Sequence, residues 1–144
     1  MIKEQHMSYT HTVTVDLPYT TAVERTKAAL SEQGFGILSE IDVRSTFENK
    51  LGAGAGEELG DYVILGACNP ALAQRGLAAE PDLGALLPCN VVVRRGASSG
   101  TTVVQAIDPQ TMVQLSGTDA VREVANDADT RLRAALAQLP AAGA

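Results

Sequence analysis

The amino-acid sequence predicts a small α+β domain: a mainly antiparallel sheet with two amphipathic helices on one face and a short third helix. Several short segments alternate apolar and polar residues, which is the pattern of half-buried strands. Two longer segments instead repeat apolar residues at three- and four-residue steps, the pattern of amphipathic helices. The 144 residues suit one domain, which we expect over residues 9–140, with a disordered or tag-like N-terminus at 1–8 and a flexible tail at 141–144.

The chain begins with a predicted strand followed by a predicted helix. Val13, Val15 and Leu17 alternate with polar residues and indicate a strand from Tyr9 to Leu17. Thr21-Ala-Val-Glu24 has the form of a capping box and predicts a helix start. Gly34 is the expected stop of this helix.

Two strands and a loop are predicted next. Phe35 to Val43 alternates through Ile37, Ser39 and Ile41 and indicates a second strand. A third, short strand is expected from Arg44 to Leu51. The glycine-rich segment Gly52–Glu57 lacks the features of a phosphate-binding loop, so we expect a mobile surface loop there.

The middle of the chain predicts a buried strand that leads directly into a helix. Tyr62–Ala67 is a mostly apolar run with β-branched members. Asn69 is a favourable helix cap and Pro70 suits the first helical position, so a helix is expected from this point to about Ala79. Leu83–Pro88 is predicted to be an apolar connection.

A hairpin and a long helix complete the predicted domain. Cys89–Arg95 and Thr101–Ile107 are rich in Val and Thr and indicate two strands joined by a turn at Gly96–Gly100. Asp108-Pro109 is expected to be a turn. The last helix has the clearest apolar stripe: Val121, Val124, Ala125, Ala128, Leu132, Ala135, Leu136 and Leu139.

The composition argues against several classes of partner. A formal charge of −6 and scattered basic residues, of which Arg94-Arg95 is the densest patch, argue against nucleic acid. No apolar stretch reaches the ~20 residues of a membrane span, so no membrane is expected as a partner. The first residues lack the apolar core of a signal peptide, and the expected location is therefore cytoplasmic.

Three motifs carry a resemblance to a known family. They are Lys50-Leu-Gly52, Tyr62-Val-Ile-Leu-Gly-Ala-Cys68-Asn69-Pro70 and Leu86-Leu-Pro-Cys89-Asn90-Val-Val-Val93. From about Tyr9 to Leu139 the chain resembles the domain-of-unknown-function 302 family. The resemblance implies an α+β fold of the TATA-binding-protein-like type and frequent dimers, but no substrate. The sequence departs from the family pattern in its longer glycine-rich stretch between Gly52 and Asp61.

The candidate site residues are Lys50, Cys68, Asn69, Cys89 and Asn90. Cys68 precedes the predicted helix cap, and at such a position unpaired amides and the positive end of the helix dipole lower a thiol pKa. If the two central strands are neighbours, two thiols and two Asn amides converge at their ends. Lys50 belongs to the family motif and would attract an anion.

Several interpretations of the cysteines remain open. A structural disulfide is uncommon in a cytosolic protein, and zinc is disfavoured because His6 and His11 lack ligand spacing to the cysteines. A soft metal or haem held by one thiolate is a further alternative. Alternatively, both cysteines are small buried hydrophobic residues, with the Asn residues serving as cap and turn. His11 itself is expected to be exposed or half-buried.

The sequence favours a non-catalytic homodimeric module that binds a small ligand or partner near the two Cys-Asn motifs. The alternative is a thiol-dependent redox or metal-responsive protein that uses Cys68 and Cys89. The residues form no Ser-His-Asp or paired-carboxylate arrangement. We therefore predict no catalytic residue and no metal site, and the small molecule and any cofactor are not identified.

Overall fold

Five antiparallel strands form one sheet within residues 8–143, the part of the chain that the computed structural model describes. The sheet has the order β1-β5-β4-β3-β2, so β4 is central and β1 and β2 are the edges. The strands are β1 (Thr10–Val15), β2 (Gly36–Asp42), β3 (Asp61–Cys68), β4 (Cys89–Arg95) and β5 (Thr102–Ile107). The predicted α+β class and antiparallel sheet are confirmed.

Two long helices, α1 (Tyr19–Glu32) and α6 (Asp119–Ala137), pack on one face of the sheet. Alternate residues of the inner strands face them, because successive side chains of a strand point to opposite faces. This main core, which includes Leu65, Val91 and Leu132, is fully buried. The helix stripes predicted from the sequence therefore cover the sheet.

The predicted capping box at Thr21 is wrong. Helix α1 begins at Tyr19, and the Pro18 carbonyl accepts a hydrogen bond from the Ala22 amide at 2.9 Å. Thr21 and Glu24 lie inside the helix and are exposed. The chain turns at Pro18 straight from the end of β1 into the helix, which leaves no room for the later start.

The third strand predicted over Arg44–Leu51 is wrong: this segment is helix α2 (Val43–Leu51). Asp42 caps it, since its carboxylate accepts the Ser45 amide at 2.9 Å. Arg44 also pairs with Glu48 one turn along at 3.2 Å. A carboxylate cap followed by an i,i+4 ion pair stabilises a helix more than this segment's weak β preference stabilises a strand.

The loop predicted over Gly52–Glu57 is also wrong, because Ala53–Leu59 forms helix α3. Glycine is a poor helix former and the segment has little intrinsic tendency to be helical. Its stability comes from packing on α2: a side chain at Gly56 would collide with that of Glu48. Because Gly56 has no side chain, α2 and α3 can approach each other closely at this point.

The helix predicted after Cys68 is confirmed as α4 (Pro70–Ala79). A 3-10 helix over Pro81–Leu86 occupies part of the predicted connection. Asp108 and Pro109 lead directly into another short helix, α5 (Gln110–Leu115), that the sequence analysis did not predict. Its first free amide, that of Gln110, donates to the Asp108 carboxylate at 2.9 Å.

These additional helices build two small apolar clusters beside the main core. One consists of Leu83, Met112, Val121 and Ala125, and the other of Leu72, Val124 and Ala128. Both use the side of α6 near its N-terminus. The domain therefore has one large core under the sheet and two small ones under α4 and α5.

The ends of the described chain lie near β1. The predicted N-terminal extension, residues 1–8, lies outside the described residues except for Ser8. At the other end the Asp16 amide donates to Pro140 at 3.0 Å and the Ala142 amide donates to Thr14 at 2.8 Å. The tail expected to be flexible is thus attached to β1 as far as Ala142.

No helix found within residues 8–143 has the length and apolar character needed to cross a membrane.

Candidate functional site

Three of the five predicted site residues meet at the end of the two central strands. Cys68 is the last residue of β3, Asn69 follows it at the start of α4, and Cys89 is the first residue of β4. The antiparallel register pairs Cys89 with Ala67, directly beside Cys68. Both cysteines are free thiols. The expected closeness of the strand ends is therefore observed.

Cys68, Asn69 and Cys89 line a small cavity of about 30 Å³ beneath α4. Its other walls are almost entirely apolar: Phe35, Ala67, Leu72, Ala73, Leu83, Leu87, Pro88, Met112, Val124 and Ala128. A cavity needs about 10–15 Å³ on this scale to hold one water-sized guest. The space is therefore suited to a guest of atomic size.

The cavity lies where the three apolar clusters meet. Cys89 belongs to the main core, Leu83 and Met112 to the second cluster, and Leu72 and Val124 to the third. Close packing within a cluster is easier than between separate clusters whose helices are fixed by other contacts. The cavity is the space between the three clusters that their side chains do not fill.

Asn69 has a structural task at the rim. Its side-chain oxygen accepts a hydrogen bond from the Leu72 amide at 3.2 Å and caps α4. Its amide nitrogen lies against Gly34, the residue that ends α1 with φ +87°. The side chain thus joins the beginning of α4 to the end of α1.

The two thiols differ in their surroundings. Cys89 is 7% exposed, and burial, with a smaller contribution from Cys68, raises the pKa of its thiol to about 11. At neutral pH it is an uncharged, weakly polar side chain in an apolar wall. Cys68 is half-buried and precedes the first turn of α4.

Asn90 and Lys50 lie away from this cavity. Asn90 is exposed on the opposite face of β4, in a shallow groove with Tyr62, Val92 and Gln105. Lys50 is exposed in the last turn of α2, where a cation interacts favourably with the helix dipole. The two Asn amides predicted to converge are on different faces of the sheet.

No sequence pattern predicted the apolar residues that complete the cavity. Leu83 and Met112 come from a 3-10 helix and a short α-helix that had no clear sequence signal. No sequence pattern predicted a polar cluster near β1 either, where the His11 ring lies against Asp129. The residues of this cluster are up to 118 positions apart, and no local pattern relates them.

Comparisons with known proteins agree with the architecture. The family model described as "Domain of unknown function DUF302" matches residues 11–139. A crystal structure of an uncharacterized conserved DUF302 protein from Bacillus stearothermophilus is 30% identical to this chain and superposes with a TM-score of 0.81. The match covers 92% of this chain and 99% of that protein. No curated protein matches the chain at a significant level.

Proposed function

This chain belongs to the DUF302 family, and from that premise we propose that it is a non-catalytic homodimeric module that binds a small apolar ligand beside Cys68 and Cys89. The observation that carries the proposal is the apolar cavity at the meeting point of the two cysteine motifs. Its walls come from the strand ends, from α4 and from α6. The cavity is therefore surrounded by residues that are distant from one another in the sequence.

The chemistry of the walls favours an uncharged guest. An ion would lose its hydration in this cavity and gain little in exchange, because the Asn69 oxygen already accepts the Leu72 amide. The Cys89 thiol remains protonated at neutral pH and presents a polarizable surface. An apolar guest gains dispersion contacts with these walls and loses no hydrogen bond.

The elements around the cavity determine whether it can expand. α4 packs on α6 through the third cluster, Leu72, Val124 and Ala128, and also contacts the 3-10 helix, where Leu83 lies against Gly76. Met112, at the cavity wall, is an unbranched side chain that adjusts its rotamers at small cost. A larger apolar ligand would require an outward shift of α4 and of the Met112 side chain.

Xenon is the probe that tests this site, because it binds to apolar cavities without hydrogen bonds. Methyl NMR spectra of the full chain are recorded in buffer with and without xenon. We expect saturable shifts of the Leu72, Leu83 and Met112 methyl groups, with the exposed Leu51 methyl groups unchanged. No saturable shift at the cavity methyl groups would contradict the proposed ligand site.

A matched pair of variants locates the binding. Ala73 lines the cavity, whereas Ala78 is on the same helix and is exposed. Ala73→Leu should fill the space and abolish the xenon shifts, and Ala78→Leu should leave them as in the parent protein. Equal shifts in both variants would place the binding elsewhere.

The alternative function is a thiol-dependent redox or metal-responsive protein that uses Cys68 and Cys89. The adjacency of the two strand ends favours it, whereas the raised pKa of Cys89 opposes it. Alkylation of the native protein with iodoacetamide at neutral pH distinguishes the two. Reaction of Cys68 faster than that of free cysteine, lost in Cys68→Ser, would favour the thiol function over the binding module.

We propose that the homodimer forms through the other face of the sheet. One cross-strand row runs there through Ile41, Ile64, Val92, Gln105 and Thr12. The apolar residues of this row, Ile41, Ile64 and Val92, lie on the neighbouring strands β2, β3 and β4, and Ile41 is 48% exposed. A second copy presents the same row, so a two-fold axis brings apolar side chains against apolar ones.

Sedimentation velocity over a range of concentrations tests the dimer. We expect the parent protein to dimerise and Ile41→Glu to shift it to the monomer. Leu115→Glu is the matched control, since Leu115 is 73% exposed on α5, away from this face. A parent protein that is monomeric throughout, or equal effects of the two substitutions, would contradict this interface.

A further inference from the structure

A histidine and two carboxylates from three elements meet on the helix-bearing side of β1. His11 lies on β1, Asp108 follows β5, and Asp129 lies on α6. The His11 Nε2 is 2.6 Å from Asp129 Oδ1 and 3.7 Å from Asp108 Oδ1. One ligand atom of each residue lies within 4.8 Å of the other two. The sequence separates these residues widely, so only the fold brings them together.

The surroundings restrict how these side chains can move. Asp129 is 13% exposed, and His11 and Asp108 are each 24% exposed. The Asp108 Oδ1 accepts the Gln110 amide at 2.9 Å, which holds the carboxylate at the start of α5. A metal site requires such oriented ligands, because flexible surface carboxylates lose conformational entropy on binding.

Two acidic side chains meet at this point. Two carboxylates face one imidazole and one guanidinium, that of Arg133, whose Nε lies 3.7 Å from Asp129 Oδ2. Arg133 is 62% exposed, and solvent weakens such a pair. A cation between the three side chains would be attracted by both carboxylates.

We propose that His11, Asp108 and Asp129 form a binding site for a divalent first-row transition cation, with Zn²⁺ as the representative ion. An imidazole nitrogen with two carboxylate oxygens suits this class, whereas Mg²⁺ and Ca²⁺ prefer oxygen ligands alone. Three protein ligands leave further coordination positions for water or a small anion. This site is separate from the cysteine cavity and does not depend on it.

The geometry needs little adjustment to accept the ion. Bonds of about 2.0–2.2 Å in a tetrahedral site place ligand atoms roughly 3.4 Å apart. The His11–Asp129 contact of 2.6 Å would open by less than ~1 Å, and the His11–Asp108 distance of 3.7 Å is already near this value. The ion takes the place of the hydrogen bond between His11 and Asp129.

Titration with Co²⁺ tests the site, because its visible spectrum reports the ligand type. The full chain is used in a His6→Ala background, so that the other histidine of the sequence cannot contribute. We expect one ion per chain, a spectrum of nitrogen and oxygen ligands, and displacement by Zn²⁺. A spectrum with thiolate charge-transfer bands would place the ion at the cysteines and overturn the proposal.

Two variants separate metal binding from a purely structural hydrogen bond. His11→Gln keeps a donor for Asp129 but removes the imidazole ligand, and should weaken Zn²⁺ binding at least about tenfold. Asp127→Asn is the control, since Asp127 lies on the same helix but pairs with Arg131. Unchanged affinity in His11→Gln, equal losses in both variants, or no binding by the parent chain would each overturn the proposal.

Discussion

The two Cys-Asn pairs are identical as dipeptides, yet the fold uses them in different ways. Cys68-Asn69 lies at the junction between β3 and α4, and both residues line the same cavity. Cys89-Asn90 lies within β4, so its thiol enters the core while its amide faces solvent on the other side. Equal sequence at two positions therefore does not mean equal roles.

The difference follows from backbone geometry. Successive side chains of a strand point to opposite faces, and this separates Cys89 from Asn90. At the end of β3 the chain leaves the extended conformation and Asn69 becomes a helix cap. The first pair therefore acts as a unit, whereas the second is divided between two environments.

The largest expected effect concerns the ionisation of Cys89. Its pKa rises from 9.0 to about 11 on folding, mainly through burial. Below pH 9 the thiol is protonated in both states and contributes no pH dependence. Between pH 9 and 11 the unfolded chain releases a proton that the folded chain retains, so the free energy of unfolding should fall by about 2–3 kcal/mol.

Urea unfolding of the parent protein and Cys89→Ala at several alkaline pH values measures this effect. The variant should lose the Cys89 contribution to the decline, whatever its stability at pH 8. Tyr19, whose pKa is raised to about 12 chiefly by burial, contributes equally to both proteins and cancels in the difference. Parallel curves for the two proteins would show that Cys89 is not isolated from solvent.

A smaller effect is expected at Gly34, which contacts the first pair through Asn69. Its φ of +87° is in the left-handed region, and an added Cβ would lie 2.9 Å from the Asn69 amide nitrogen. Gly34→Ala should therefore destabilise the domain by about 1–2 kcal/mol in urea unfolding.

Gly54 provides a control of opposite sign. It lies inside helix α3, and a Cβ there would meet no described atom within 4 Å. Gly54→Ala should stabilise the domain by about 0.5–1 kcal/mol, because alanine is the better helix former. Destabilisation of similar size in both variants would contradict the specific role of Gly34.

A further expected effect compares the two Asn residues directly. Asn69→Ala removes the cap of α4 and should cost about 1 kcal/mol. Asn90→Ala changes an exposed side chain and should alter the stability by less than about 0.5 kcal/mol. Chemical denaturation of both variants checks the difference, and equal losses would mean that the two motifs serve the fold alike.

The extent to which the sequence predicted the site varies with the residue. The helix start at Asn69 followed from a local pattern and is confirmed. The adjacency of the two strand ends was only a condition in the sequence analysis, because strand pairing is not local, and the register of β3 and β4 supplies it. The segments that form helices α2 and α3 were wrongly predicted to be a strand and a loop, although Asp42, three residues before Ser45, is a recognisable helix cap. The apolar walls of the cavity had no local signal, because Leu83 and Met112 belong to short elements stabilised by their tertiary contacts.

The sequence by itself determined the family, the antiparallel sheet and the two helices that cover it. The strands and helices follow from hydrophobic periodicity, which acts over neighbouring turns and strands and is visible in any short window. The family follows instead from the resemblance of three short motifs, two of which contain a Cys-Asn pair. Only the tertiary structure decided which thiol is buried, which Asn faces solvent, and that His11 meets Asp108 and Asp129. These outcomes depend on strand order and register, which bring together residues far apart in the chain.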